Sequence, residues 1–357
     1  MKKTLAAVAV LGAFAGSALA ADVQLYGIVD TGLRYLHSDL DVDSPNYDAK
    51  DTFSMESGMQ SGSRWGIKGT EELGNGLTVG FILEDGFASD TGAEKDQMFD
   101  RESSLFIQGG FGKFAMGRIG SINGGVSSWG KHGVMSAFGT SWGNYAAQAD
   151  AVFGGSGKWD NMIAYETPDF AGFKVFAQYG MGTNDAENES RSDRYYAIGA
   201  SYANGPLNLY FAVDSINYQT ADADGALANA SDIDDSLTIT FGGNYDFEVL
   251  KLFAGAQYFD EIKLSKMGCG VGMMDVTEYN SVTGKGTEKD PYKSNYASKF
   301  KGWSLGVSAS IPAAGGQVLV GAAYLDAEAA DSVAKTNEND ELSRWIVSAG
   351  YDYPLSK

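Results

Sequence analysis

Residue types that perform covalent chemistry are scarce in this chain. It has two histidines, His37 and His132, and a single cysteine, Cys269. The histidines lie far apart in sequence, and no Gly-x-Ser-x-Gly element is present to seat a serine nucleophile. One thiol builds neither a disulfide framework nor a cysteine-based zinc cluster. Two stretches imitate ligand loops. Gly125 to Lys131 nearly fits a phosphate-binding loop, but His132 stands where a Ser or Thr must ligate magnesium, and no strand–loop–helix pattern surrounds it. Asp39-Leu40-Asp41-Val42-Asp43 opens like a calcium loop, yet Ser44 replaces its glycine and Lys50 occupies the place of its bidentate glutamate. The sequence therefore predicts no enzyme, no metal and no cofactor. What remains is electrostatic: basic and acidic side chains at even spacing, Asp30 with Arg34, Arg64 with Lys68, and Lys158 with Asp160 and Glu166. Fixed charges held in a row on one face sort ions without bond chemistry.

Holding them in a row is the work of β-strands, whose side chains alternate between two faces. Leu77, Val79, Phe81 and Leu83 alternate with Thr78, Gly80, Ile82 and Glu84, and Leu207, Leu209, Phe211 and Val213 alternate with Asn208, Tyr210, Ala212 and Asp214. Trp303, Leu305, Val307, Ala309 and Ile311 are set between Gly302, Ser304, Gly306, Ser308 and Ser310. One face is apolar and the other small or polar, the pattern of a strand between two different environments. The period predicts 14 strands, near 23–36, 60–70, 77–86, 101–109, 113–119, 156–167, 173–181, 193–203, 206–218, 235–245, 250–261, 301–310, 317–327 and 342–352.

Short turns, as at 71–76 or 204–205, alternate with long polar loops near 37–59, 87–100, 120–155, 182–192, 219–234, 262–300 and 328–341. All long connections at one end is the plan of a transmembrane antiparallel β-barrel with short periplasmic turns. In a bilayer such strands must close on themselves, because unpaired backbone groups find no water. The polar inner faces predict an open, water-lined wall. Residues 1–20 read as a signal peptide: Lys2 and Lys3, the apolar stretch 5–14, and Ala18-Leu19-Ala20 before the cleavage point. The barrel then occupies 21–357, with no second domain. Removing Lys2 and Lys3, and no acid, takes the net charge from −20 to −22. That charge argues against a nucleic-acid partner.

Val23-Gln24-Leu25-Tyr26-Gly27-Ile28-Val29-Asp30 resembles the first strand of the general diffusion porins of β-proteobacteria, and Ser63-Arg64-Trp65-Gly66-Ile67-Lys68-Gly69 resembles their second. Phe111-Gly112-Lys113 through Gly117-Arg118, Asp160-Asn161 through Phe173, and Gly350-Tyr351-Asp352-Tyr353-Pro354 are also similar, in order along the whole chain. The resemblance implies a homotrimer of 16-stranded barrels in the outer membrane of a Gram-negative bacterium, among lipids and lipopolysaccharide. Each pore is narrowed by its third outer loop, here 120–155. In the family, two further strands and a terminal aromatic follow the segment similar to 351–357. Here the sequence stops at Lys357, with about 14 strands: either it is incomplete and lacks the last hairpin, the favoured reading, or a 14-stranded barrel closes with both ends periplasmic, which parity permits.

The implied function is passive diffusion of small hydrophilic solutes and ions. The resemblance places a basic cluster on Arg64, Arg118 and Lys158. Alternation turns Arg34, Arg64, Lys68 and Lys158 inward and Trp159 and Ile163 outward, and it turns Arg118 inward only if Gly117 forms a bulge. The third loop opposes them with one acid, Asp150, so the expected preference is mildly for anions. Trp129, Phe138, Trp142 and Tyr145 give that loop its aromatic character. Tyr26, Tyr196, Tyr202, Tyr245, Tyr258, Trp303, Trp345 and Tyr351 are assigned to outward-facing interface girdles. The alternative is a surface adhesin or structural barrel whose acidic loops bind a partner.

Overall fold

A computed structural model describes residues 21–38, 50–95, 97–139, 153–154, 157–182, 187–189, 192–219, 234–263, 299–330 and 341–356. Residues 1–20, read above as a signal peptide, together with Asp150, Trp142, Tyr145, Cys269 and most of the acidic loop residues, lie outside them.

Fourteen strands form one antiparallel sheet in chain order. They are β1 (Ala21–Ile28), β4 (Arg64–Gly74), β5 (Leu77–Gly86), β6 (Glu102–Gly109), β7 (Gly112–Gly120), β8 (Lys158–Glu166), β9 (Phe173–Gly180), β10 (Arg194–Asn204), β11 (Leu207–Asn217), β12 (Leu237–Asp246), β13 (Lys251–Lys263), β14 (Lys299–Ala313), β15 (Gly316–Ala329) and β16 (Glu341–Asp352). A separate hairpin, β2 (Thr31–Ser38) with β3 (Lys50–Ser57), rises between β1 and β4. The strand expected over 23–36 is thus two strands broken at Val29-Asp30. The Asp30 carboxylate holds the break in place, accepting the backbone N–H groups of Met59, Gln60 and Ser61 at 3.0, 3.0 and 2.8 Å.

The alternation has its physical counterpart in β14. Leu305 and Val307 are each 50% exposed, while Ser304, on the opposite face, is fully buried. Nothing in water would reward that outer face, and lipid does. The sheet curls far enough for residues 121–139 and 153–154 to touch strands along most of its length from within. The Gln178 side chain on β9 accepts from Ile122 N–H (2.7 Å) and donates to the Gly120 carbonyl (3.0 Å). Tyr210 on β11 donates to the Ile122 carbonyl, and Asn244 on β12 to that of Val134, both at 2.9 Å. Gln257 on β13 accepts from Gly154 N–H at 2.6 Å, and Ser308 on β14 from Ala137 N–H at 2.9 Å. A single 3-10 turn, His132–Met135, lies in this segment.

The inner face is less polar than its sequence pattern predicts. Ile119, Met162, Phe176, Tyr195, Tyr210 and Ile216 form a buried apolar cluster with Ile122, Trp129, Met135 and Phe153 of the inner segment. These wall positions are apolar because they receive a loop rather than water.

Candidate functional site

Strand register lines up Tyr26, Gly66, Glu84 and Glu102 as direct neighbours on β1, β4, β5 and β6. Gly66 makes the row possible: a Cβ there would lie 2.8 Å from the Tyr26 ring and hydroxyl, which pass over it. The Tyr26 hydroxyl then donates to Glu84 Oε2 at 3.0 Å. This corrects the girdle assignment for Tyr26, which stands on the inner face with Arg64 and Glu84.

Glu84 organises the local cations. Arg101 Nε lies 2.7 Å from its Oε1 and Arg64 Nε 3.6 Å from its Oε2. Lys68 places its ammonium 5.3 Å from the Tyr26 ring centroid, a cation–π distance. Across from them, Glu102 accepts Ser128 N–H at 2.8 Å and the Ser128 hydroxyl at 3.0 Å, tying the inner segment to β6. These groups line a cavity of about 310 Å³ between the wall and the inner segment, which contributes Gly125, Ser127 and Ser128. Three cations, Arg64, Lys68 and Arg101, there face two carboxylates, Glu84 and Glu102.

Arg118 and Lys158 form a different group. Lys158 Nζ is 2.7 Å from Asp100 Oδ2, and Arg118 spans the Asp100 carbonyl (2.7 Å) and Asp160 Oδ1 (2.5 Å). The ladder between β7 and β8 shifts register between Gly117 and Ile119, with left-handed backbone at Gly117 (φ 132°) and Asn161 (φ 50°). A Cβ at Gly117 would run into the Ser103 carbonyl, so the bulge requires glycine there. The shift also overturns one strand reading. Trp159, expected outward, packs against the interior cluster and stacks on Tyr195 at 5.1 Å between centroids. Arg34 lies apart on the β2–β3 hairpin, 3.2 Å from Glu56.

Sequence reasoning missed Glu84, Glu102, Tyr26 and Arg101 as site residues. Alternation could have found Glu84, which shares inward parity with Thr78 and Ile82. Arg101 carried no such signal, because it precedes the ladder of β6, where parity has no meaning. Within the inner segment His132 is fully buried, its Nε2 2.5 Å from Asn123 Oδ1. Burial pushes its pKa down to about 4. On the hairpin, hydrogen bonds from the His37 ring and then the Tyr35 hydroxyl hold the Asp51 carboxyl below its usual range.

A curled antiparallel sheet with an apolar outer face, carrying charged pockets on its inner one, defines a membrane-spanning β-barrel channel. The chain belongs to the Gram-negative porin family, which matches residues 6–357. It is 37% identical over 275 residues to an outer membrane porin protein of Bordetella pertussis, spanning 71% of this chain and 68% of that one. Identity to outer membrane porin protein 32 of Delftia acidovorans is 33% over 260 residues, with the same two coverages, 71% and 68%. Among solved structures, an anion-selective porin from Comamonas acidovorans aligns with a TM-score of 0.60 at 24% identity, over 94% of this chain and 85% of that one. The fold is thus the porin barrel. The protein is an outer-membrane porin of a Gram-negative bacterium, a passive channel and no enzyme.

Proposed function

We propose that this porin passes small hydrophilic solutes and ions with a mild preference for anions, and that residues 120–155 fold inward to form its constriction. The observation that carries the reading is the cavity beside the inner segment, where Arg64, Lys68 and Arg101 outnumber Glu84 and Glu102. Low-dielectric walls focus the field of such charges on a narrow passage. The net charge of −20 opposes this preference, but charges on outer loops are screened beyond about 8 Å at physiological salt. The solved porin of Comamonas acidovorans, described as anion-selective, supports the same reading by its shared fold. Arg118 and Lys158 contribute less than Arg64, since Asp160 and Asp100 hold them in ion pairs. Arg34 is likewise paired, with Glu56 on the β2–β3 hairpin, and Asp150 is the acid proposed to face the basic wall.

The wider reading has residues 1–20 as a cleaved leader, 21–357 as the barrel, and three copies assembling among outer-membrane lipids and lipopolysaccharide. Native mass measurement in mild detergent tests the trimer, and a monomer alone refutes it. Single-channel recording in planar bilayers tests the function. Stepwise currents and a reversal potential displaced toward anions in a salt gradient are expected, and folded protein without conductance would sink the channel reading.

A further inference from the structure

On the opposite side of the inner segment, toward the short turns, lies a second polar cavity of about 310 Å³, bounded by Thr78, Gln108, Lys113, Glu166 and Lys174. Gln108, Lys113 and Glu166 are direct neighbours across β6, β7 and β8, and Lys174 reaches Glu166 at 2.6 Å from β9. From the inner segment above comes Lys131, which interacts electrostatically with Glu166, Lys174 and Lys113.

Two of these ammonium groups are held by rings. Lys113 Nζ lies 4.4 Å from the centroid of Phe106 and 5.1 Å from that of Trp129, and Lys131 Nζ lies 5.1 Å from that of Phe176. Among the described residues neither lysine enters an ion pair; the pair in this corner belongs to Lys174. Aromatic faces fix a cation's position but satisfy none of its three N–H donors. Glu166 acts on all three lysines, Glu102 acts on Lys113 from β6, and Asp169, at the rim, already accepts Gly172 N–H at 2.6 Å. Positioned, half-buried ammonium groups whose N–H donors no carboxylate takes up in an ion pair make a receptor for an anion.

We propose that Lys113, Lys131 and Lys174 form a second anion station on the periplasmic side of the inner segment, fitted to a small solute with two negatively charged ends or faces, a dicarboxylate or inorganic phosphate. The inference rests on the channel reading above and deepens it. The inner segment becomes a partition with cations on each side, Arg64, Lys68 and Arg101 on one and the three lysines on the other. A solute leaving the first pocket meets the second before reaching the periplasm.

The test uses the full chain as single channels, inserted from one chamber so that sidedness is defined. Chloride current is recorded while succinate or inorganic phosphate is added to either side. Block of the parent channel from the short-turn side is expected. The Lys113→Gln, Lys131→Gln double variant should weaken that block about a hundredfold, about tenfold for each of its two lost charge-assisted contacts, and leave block from the other side within about twofold. Lys131→Gln alone lies on the loop and guards against a folding defect in the double variant, and Lys131→Arg should restore block. An anion-preferring parent whose double variant is blocked like itself from both sides overturns the station and leaves the channel reading standing. A parent that prefers cations and is blocked by neither anion overturns both.

Discussion

Lys158 Nζ stands 2.7 Å from Asp100 Oδ2, and Asp100 is only 2% exposed. A cation that the strand pattern offers to the pore is therefore already spoken for by a buried acid. The next residue, Arg101, turns the other way, to Glu84. Adjacent residues at the start of β6 thus divide the basic side chains into a neutralised group, Lys158 and Arg118, and a group in excess, Arg64, Arg101 and Lys68.

That division predicts unequal effects on selectivity. Replacing Arg64 and Arg101 together with Gln should move the anion-to-cation permeability ratio about threefold or more toward cations, because both act in a focused field. Lys158→Gln should barely move it. Reversal potentials in a salt gradient compare the two, and an equal shift from both would refute the division.

The inner segment should loosen when its anchors are cut. Gln178→Ala leaves the Ile122 N–H and the Gly120 carbonyl without the partner each has now. Each buried unpaired group costs roughly 1–3 kcal/mol. Unfolding in detergent should occur at a lower temperature, and open-channel current should become noisier. Unchanged values for both would show that the segment is held by apolar packing alone.

His132 predicts a pH dependence. Its pKa in the folded protein is about 4 against an ordinary 6.5, so the native state holds it neutral and the unfolded chain binds the proton first. The stabilisation is whole above about 6.5, falls as pH drops through the interval, and is spent below about 4, a total of roughly 3 kcal/mol. His132→Gln should flatten the pH slope of the unfolding midpoint in that window relative to the parent. Parallel slopes would remove His132 from the account.

Membrane insertion tests the outer face. Val307 is 50% exposed near the middle of β14, flanked on the same face by Leu305. Val307→Arg should destabilise the inserted barrel by about 2–4 kcal/mol, read as a drop in folded yield in lipid vesicles. Ser308→Arg, on the inner face, should instead displace the Ala137 contact and alter conductance. If Val307→Arg folded into bilayers as well as the parent, lipid could not be what covers this face.

What the sequence determined by itself was periodic and local. Trp303, Leu305 and Val307 alternating with Ser304, Gly306 and Ser308 specify a two-faced strand whatever its neighbours are, and the spacing of short and long connections orders fourteen of them in a meander. The inward parity of Arg64 and Lys68 followed from the same period. Tertiary structure alone decided the partners. Glu84 meets Arg64 and Arg101 because three strands stand in one register over Gly66, and Asp100 meets Lys158 across residues far apart in the chain. Parity is also lost wherever the ladder slips: past Gly117 and Asn161 it misplaced Trp159, and at Asp30 it ran one strand through a break. The inner wall's Tyr210 and Phe176 join Ile122, Trp129 and Met135 in one buried cluster only because residues 121–139 fold back across the interior. Alternation depends on each residue's own backbone, whereas ion pairs and loop docking depend on accumulated register, twist and bulges across many strands, which no local pattern in the sequence records.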